Sequence, residues 1–173
     1  MHPLDKLTFC PSCGSKHFEN ETPKSKKCRN CGFEMFQNAA AAVAAFIRND
    51  KGELLVTERN CDPGKGMLDL PGGFSDIGET SEETVVREIK EETHLEITEA
   101  TYLFSLPNIY LYSGLRVPTL DFFYECKVKD ISRLKAADDV SSCQWVKPED
   151  IHTELFALRS IRHGLSKYLE QAK

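Results

Sequence analysis

Residues Gly72–Leu95 read GGFSDIGETSEETVVREIKEETHL, a glycine turn that runs into a short acidic segment. Thr80 stands three residues before Glu83, the pattern of a capping box, so the spacing predicts a helix over Ser81–Thr93. At about 100° per residue, Glu88, Glu91 and Glu92 fall within roughly a third of the helix circumference, with Arg87 at their edge. Val85, Val86 and Ile89 take the adjoining face and are expected to pack on a sheet. Like charges three and four residues apart destabilise a bare helix, and carboxylates this close resist joint ionisation. A hard divalent cation, Mg²⁺ or Mn²⁺, relieves both effects through oxygen ligands. The plainer reading is a solvated acidic face. The glycine turn ahead of the helix and the arginine inside the cluster favour the metal site.

At 173 residues the chain suits one domain of about 130–150 residues plus a small accessory module. No run of about 18 apolar residues is present, so no membrane-spanning helix is expected. The opening MHPLDKLTFC lacks the basic-then-apolar pattern of a secretory signal, which sets the expectation of a cytoplasmic protein. A formal net charge of -5 argues against nucleic-acid binding by the whole chain, yet it leaves room for a phosphate substrate held through a bound cation.

Seven cysteines, four of them in two CxxC pairs, point to metal in a reducing compartment rather than to a disulfide framework. Cys10-Pro-Ser-Cys13-Gly14 and Cys28-Arg-Asn-Cys31-Gly32 are matching knuckles, with 14 residues between the pairs. Each pair presents two thiolates to one tetrahedral Zn²⁺, and the glycine after it permits a tight turn. Four thiolates close the coordination shell, so the expected role is structural. Residues 1–36 are too few to build a core without the ion. Lys16, Lys24, Lys26, Lys27 and Arg29 make this ribbon basic. Solvated loop positions near thiolates explain them more simply than contact with nucleic acid or substrate phosphates.

Residues 37–173 form the second expected domain. Ala39–Ile47 reads as a buried strand, Arg48–Gly52 as a turn, and Glu53–Glu58 as the hairpin partner. Ala100–Leu106, Ile109–Ser113, Val117–Val128 and Cys143–Val146 are strand-like. Pro148 opens a terminal helix on which Leu155, Leu158, Ile161, Leu165, Tyr168 and Leu169 form a core-facing stripe.

Gly73, then Glu79 after five residues, then Arg87-Glu88-Ile89-Lys90-Glu91-Glu92 after seven more, closely resembles the Nudix box. Leu70-Pro71-Gly72-Gly73-Phe74 fits the same resemblance, which covers about Gln37–Lys173 and is most specific within Pro71–Leu95. It implies an α/β/α sandwich around a mixed β-sheet, here preceded by the zinc ribbon. It also implies hydrolysis of a nucleoside diphosphate linked to another moiety, by attack of water on phosphorus. In that reading the Gly72 carbonyl and the Glu88 and Glu92 carboxylates hold Mg²⁺ or Mn²⁺. Glu91 joins them or pairs with Arg87, and Glu79 is a second partner of Arg87 or a water-mediated ligand. A late acidic loop often supplies the base in relatives; Asp139 is the candidate, with Glu91 or metal alone as alternatives. One position departs: His94 stands where the family usually has glycine. A left-handed histidine costs on the order of 1 kcal/mol, which bears on helix termination more than on chemistry.

A zinc ribbon ahead of such a domain is similar to the arrangement in NADH pyrophosphatases, although the SQPW-type segment of that subfamily is missing. ADP-ribose, NADH or a related dinucleotide is the expected substrate. Phe74, Tyr110, Tyr112 or Trp145 can stack on its base or simply pack. The alternative is a non-catalytic, Nudix-like nucleotide sensor whose ribbon contacts nucleic acid or protein; the intact array from Arg87 to Glu92 speaks against it. A further reading makes the ribbon a homodimer contact.

Overall fold

The computed structural model describes residues 3–171. It divides into two compact units, Met1–Ala39 with Ile109–Pro118, and Ala40–Asn108 with Thr119–Lys173. In the first, β1 (Phe18–Thr22), β2 (Ser25–Cys28) and β3 (Glu34–Phe36) form an antiparallel sheet in that order. Its core is small: Cys10, Phe18 and Cys28 are buried, with Leu7 and Met35 against them. So little apolar surface does not offset the entropy of ordering the segment, which leaves the cysteines to hold it.

The chain continues through β4 (Ala40–Ile47), β5 (Leu54–Arg59), β6 (Leu68–Asp69), α1 (Ser81–Thr93), β7 (Ile97–Tyr112), β8 (Leu115–Val128), β9 (Val140–Val146) and α2 (Arg159–Gln171). Two three-stranded sheets result, ordered β4-β8-β7 and β6-β5-β9. β4 alternates between two cores. Val43, Ala45 and Ile47 pack with Val85 and Ile89 of α1 and with Leu55, Leu95 and Tyr124. Ala44 and Phe46 pack with Ile161, Leu165 and Tyr168 of α2 and with Leu54, Val56 and Phe123. The two helices therefore cover opposite faces, an α/β/α arrangement. Each of the large side chains buried in it contributes about 1.5–3 kcal/mol.

Four local expectations change. β4 and β5 are not hairpin partners: β4 runs parallel to β8 from Ala40↔Thr119 to Ile47↔Cys126, and only an isolated bridge, Arg48↔Leu54, joins the two runs. A strand apolar on both faces is satisfied better by a buried parallel position than by a two-stranded ribbon. Val86 is exposed on α1 rather than packed. The runs on either side of Pro107 fuse into the single strand β7, which lies at a sheet edge, where proline is tolerated. The terminal helix starts only at Arg159; two 3₁₀ turns precede it, Leu155 is exposed, and Phe156 is buried in its stead.

The start of α1 carries the expected capping box. The Thr80 hydroxyl accepts from the Glu83 N–H at 3.2 Å, and Glu83 Oε2 accepts from the Thr80 N–H at 2.8 Å. At the other end His94 sits at φ 60°, its N–H donating to the Lys90 carbonyl. A side chain in this left-handed region is strained where glycine is not. His94→Gly is therefore expected to raise the free energy of unfolding by about 1 kcal/mol, read as a shift of the urea midpoint at constant slope.

Candidate active site

Pro71–Ser75 lies along β4. Ala45 N–H donates to the Pro71 carbonyl at 2.9 Å, Val43 N–H to the Gly73 carbonyl at 2.8 Å, and Ser75 N–H to the Ala41 carbonyl at 3.1 Å. Gly72, between them, turns its N–H the other way and donates to Glu92 Oε2 at 2.9 Å. Both glycines are required here. Gly72 has φ 144°, and a Cβ on it would stand 2.2 Å from the Val43 carbonyl oxygen. A Cβ on Gly73 would meet the Glu88 carboxylate at 2.6 Å. The turn and α1 thus approach as closely as backbone permits. The hydroxyl of Ser75, two residues on, is buried with no hydrogen-bond partner.

Arg87 ties the acidic residues together. Its Nε and Nη2 donate to Glu79 at 2.7 and 2.8 Å, its Nη1 to Glu88 at 2.8 Å and Glu91 at 3.0 Å, and its Nη2 also to the Phe74 carbonyl at 3.0 Å. The paired guanidinium holds the Glu79 carboxyl down at about 2. Burial works in the opposite direction on the next two acids. It raises the Glu88 carboxyl, whose side chain is 13% exposed, and pushes Glu92 up to about 8, although the Gly72 N–H opposes this. Asp69 adds to the negative field at Glu92. It is itself buried, raised by desolvation, and paired with Arg59 at 2.5 Å.

Glu79, Glu88, Glu91 and the Phe74 carbonyl therefore meet on Arg87, and one turn further along α1 Glu92 meets the Gly72 N–H. Asp138 and Asp139 occupy a loop strapped to the end of α1 by Ala137 N–H to the Glu92 carbonyl, 2.9 Å, and Lys135 N–H to the Thr93 carbonyl, 3.1 Å. The Asp138 charge helps to raise both Glu88 and Glu92, and Asp139 helps to raise the Cys61 thiol. Asp138 has φ 53°, a loop geometry with no signature in sequence. The Phe74 side chain is 40% exposed. Tyr110 and Tyr112 belong to the other compact unit, and Trp145 packs against the α1-side core.

The donor set suits a hard divalent ion. It is all oxygen, carboxylate and carbonyl, the carboxylates are under-neutralised and desolvated, and the glycine cradle keeps side chains out of the space. In the ribbon, Cys10, Cys13, Cys28 and Cys31 place four sulfurs within 4.8 Å of one another. The Cys10–Cys31 and Cys13–Cys28 sulfurs are 3.7 and 3.6 Å apart, close to the edge of a tetrahedron built on Zn–S bonds of about 2.3 Å. Gly14 and Gly32, both at positive φ, close the two knuckles by donating to the Cys10 and Cys28 carbonyls. Three of the ribbon's basic residues are engaged: Lys26 with the Leu7 carbonyl, Lys27 with Glu34, and Arg29 with Glu19 and Glu21.

Residues 38–169 match the family described as NUDIX domain. The chain belongs to the Nudix family. Members generally use divalent metal ions. A NAD-capped RNA hydrolase NudC from Vibrio atlanticus is 29% identical over 149 residues, 85% of this chain and 55% of the relative. Its counterpart from Pectobacterium atrosepticum is 32% identical over 99 residues, 57% of this chain and 37% of the relative. The chain thus spans about half, or less, of the length of these curated relatives. Among solved structures, a NUDIX hydrolase from Nitrosomonas europaea aligns with a TM-score of 0.71 at 21% identity, covering 94% of this chain and 90% of the other. The NUDIX domain of Shewanella oneidensis NrtR, crystallised with ADP ribose, aligns at 0.64 and 21% identity, covering 80% and 91%. At these identities the structural likeness is one of fold. No helix among the described residues is long and apolar enough to cross a membrane.

Glu92 links the Nudix site to stability. Burial pushes its carboxyl up to about 8 in the fold, against about 4.3 for a free glutamate. Between these values the native state holds a proton that the unfolded chain has released, so stability falls as pH rises. With no divalent ion other than zinc present, thermal unfolding is expected to move to lower temperature from about pH 5 to pH 8, with a slope of up to about 1.4 kcal/mol per unit. Glu92→Gln removes that slope.

Proposed function

We propose that this chain is a metal-dependent nucleotide pyrophosphohydrolase. Its substrate is a nucleoside diphosphate linked to another moiety: ADP-ribose, NADH or a related dinucleotide. The observation that carries this is Glu88 and Glu92, one helical turn apart and desolvated against a glycine cradle, with Arg87 shared among Glu79, Glu88 and Glu91. The names of the curated relatives, NAD-capped RNA hydrolases, support a substrate with an NAD-type pyrophosphate.

Glu88, Glu92, Glu91 and the Gly72 carbonyl would hold Mg²⁺ or Mn²⁺. When bound, such an ion neutralises phosphate charge and lowers the pKa of coordinated water. The chain's own residues position and accept protons. Arg87 braces Glu88 and Glu91 and is itself fixed by Glu79 and the Phe74 carbonyl, so loss of Glu79 acts through Arg87. Asp139 is the proposed proton acceptor, on a loop whose other acid, Asp138, adds its charge to the field at Glu88 and Glu92. The exposed Phe74 ring is the stacking candidate beside the site, with Tyr110 and Tyr112 as further candidates. A structural Zn²⁺ on Cys10, Cys13, Cys28 and Cys31, in a domain over residues 1–36, and a cytoplasmic setting complete the proposal; the paired thiols support both. The engagement of Lys26, Lys27 and Arg29 within the ribbon weighs against a sensor that touches nucleic acid.

Glu88→Gln and Glu92→Gln are expected to cut AMP release from ADP-ribose or NADH by on the order of 100-fold, at unchanged far-UV circular dichroism. A folded wild-type protein that cleaves no member of a nucleotide panel with Mg²⁺ or Mn²⁺ would overturn the enzyme reading and leave the sensor. Elemental analysis is expected to find one zinc per chain, lost in Cys28→Ser, with the hydrolytic ion unaffected.

A further inference from the structure

The loop that carries Asp138 and Asp139 is held from two sides. On one side, Ala137 and Lys135 donate to the Glu92 and Thr93 carbonyls at the end of α1. On the other, the loop runs into β9 through an irregular join with β5. Glu58 stands opposite Ser142, but Arg59 stands opposite Val140, so Ser141 is an extra residue and β9 starts with a bulge. A bulge bends its strand and re-aims the residues around it, and bulges recur beside active sites. This one is tied down by a single side chain. The Ser141 hydroxyl lies 3.1 Å from Glu58 Oε1 and 3.2 Å from the Glu58 carbonyl, donating to both, and the Ser142 hydroxyl donates to Glu58 Oε2 at 3.4 Å. Two residues beyond Glu58, the Asn60 N–H donates to the Asp139 carbonyl at 2.8 Å. Both carboxylate oxygens of Glu58 are therefore engaged with the residues that form the bulge, and the same end of β5 holds the Asp139 backbone.

We propose that Glu58 is a positioning residue for the Nudix site: its carboxylate holds Ser141 and Ser142 in the bulge, and the bulge fixes where the loop bearing Asp138 and Asp139 rests beside α1. The consequence for chemistry rests on the hydrolase reading, in which Asp139 accepts a proton. Without the Glu58 carboxylate the loop keeps its straps to α1 and loses its anchor at β9. Asp139 then gains freedom, while Glu88 and Glu92 stay where the packing of α1 puts them. A misplacement of about 1 Å can cost on the order of 100-fold in rate, so loss of one anchor among several is expected to cost about tenfold.

The test uses the zinc-loaded full chain with Mg²⁺ and ADP-ribose or NADH. The variants are Glu58→Ala, Glu58→Gln, Ser141→Ala/Ser142→Ala, and Glu58→Ala in an Asp139→Asn background. Hydrogen exchange at the Asn60 and Val140 amides, which donate to the Asp139 and Ala137 carbonyls, reads the loop directly, and steady-state hydrolysis reads the consequence. In Glu58→Ala these amides are expected to exchange about tenfold faster with α1 unchanged, and kcat to fall about tenfold with little change in KM. The double serine variant reproduces both effects and keeps the test decisive if Glu58→Ala fails to fold. Glu58→Gln, whose amide can still pair with both hydroxyls, stays within about threefold of wild type. With Asp139→Asn already in place, Glu58→Ala lowers kcat no further, because residues that act as a unit are not additive. Unchanged exchange in Glu58→Ala and in the serine variant overturns the inference. So does a kcat loss of equal size with and without the Asp139 carboxyl. Faster exchange in the variants, in a protein whose wild type cleaves no nucleotide, sinks the hydrolase reading alone and leaves Glu58 as the anchor of the loop.

Discussion

The Nudix unit depends on keeping one carboxyl out of water. Glu92 is 7% exposed, with its Oε2 on the Gly72 N–H, and its backbone carbonyl caps the loop that carries Asp138. A single side chain thus joins the glycine turn, the helix and the late loop. Burying an acid this way costs free energy unless its charge is suppressed or matched. Protonation suppresses it; a cation matches it. The fold leaves Glu92 between those two states, which distinguishes it from an acid on a solvated helix face.

The glycine turn makes that burial possible. Pro71, Gly73 and Ser75 place their strand-like hydrogen bonds on β4, and the Gly72 N–H and the Phe74 carbonyl are left to face α1. Because Gly73 has no side chain, the Glu88 carboxylate can press against its Cα. α1 is fixed from the other side by Val85 and Ile89 in the core with β4, so the distance between turn and helix is set by packing rather than by the charges. The order of causes runs from apolar spacing to helix position to carboxylate placement.

This order explains what was legible in the sequence. The capping box, the glycines and the Arg87–Glu92 array are local, and each appears where the spacing placed it. The partner of β4 was not legible: a strand apolar on both faces says that it is buried, not whether its neighbour is the next strand or one some 80 residues on. Val86 was misplaced for a related reason, since a wheel assigns an angle but not the width of the buried stripe. Asp138 and Asp139 differ through a backbone angle that composition does not encode, Asp138 standing at φ 53°. His94 is the reverse case, a departure visible in sequence whose left-handed geometry followed from its position.

The charge balance of the cluster limits how it can meet a phosphate. Glu79, Glu88 and Glu91 share one guanidinium, and Glu92 stands one turn on from Glu88. Arg87 has also given a hydrogen bond to the Phe74 carbonyl, so little of its donor capacity remains for a ligand. A diphosphate approaching these acids meets repulsion of about 4 kcal/mol for each charge pair at 4 Å near a protein surface. No side chain within the Arg87 cluster cancels that. An acidic site built around a committed arginine can therefore bind an acidic substrate only when a cation arrives with it or ahead of it, and nucleotide affinity and divalent-ion affinity become two readings of one equilibrium.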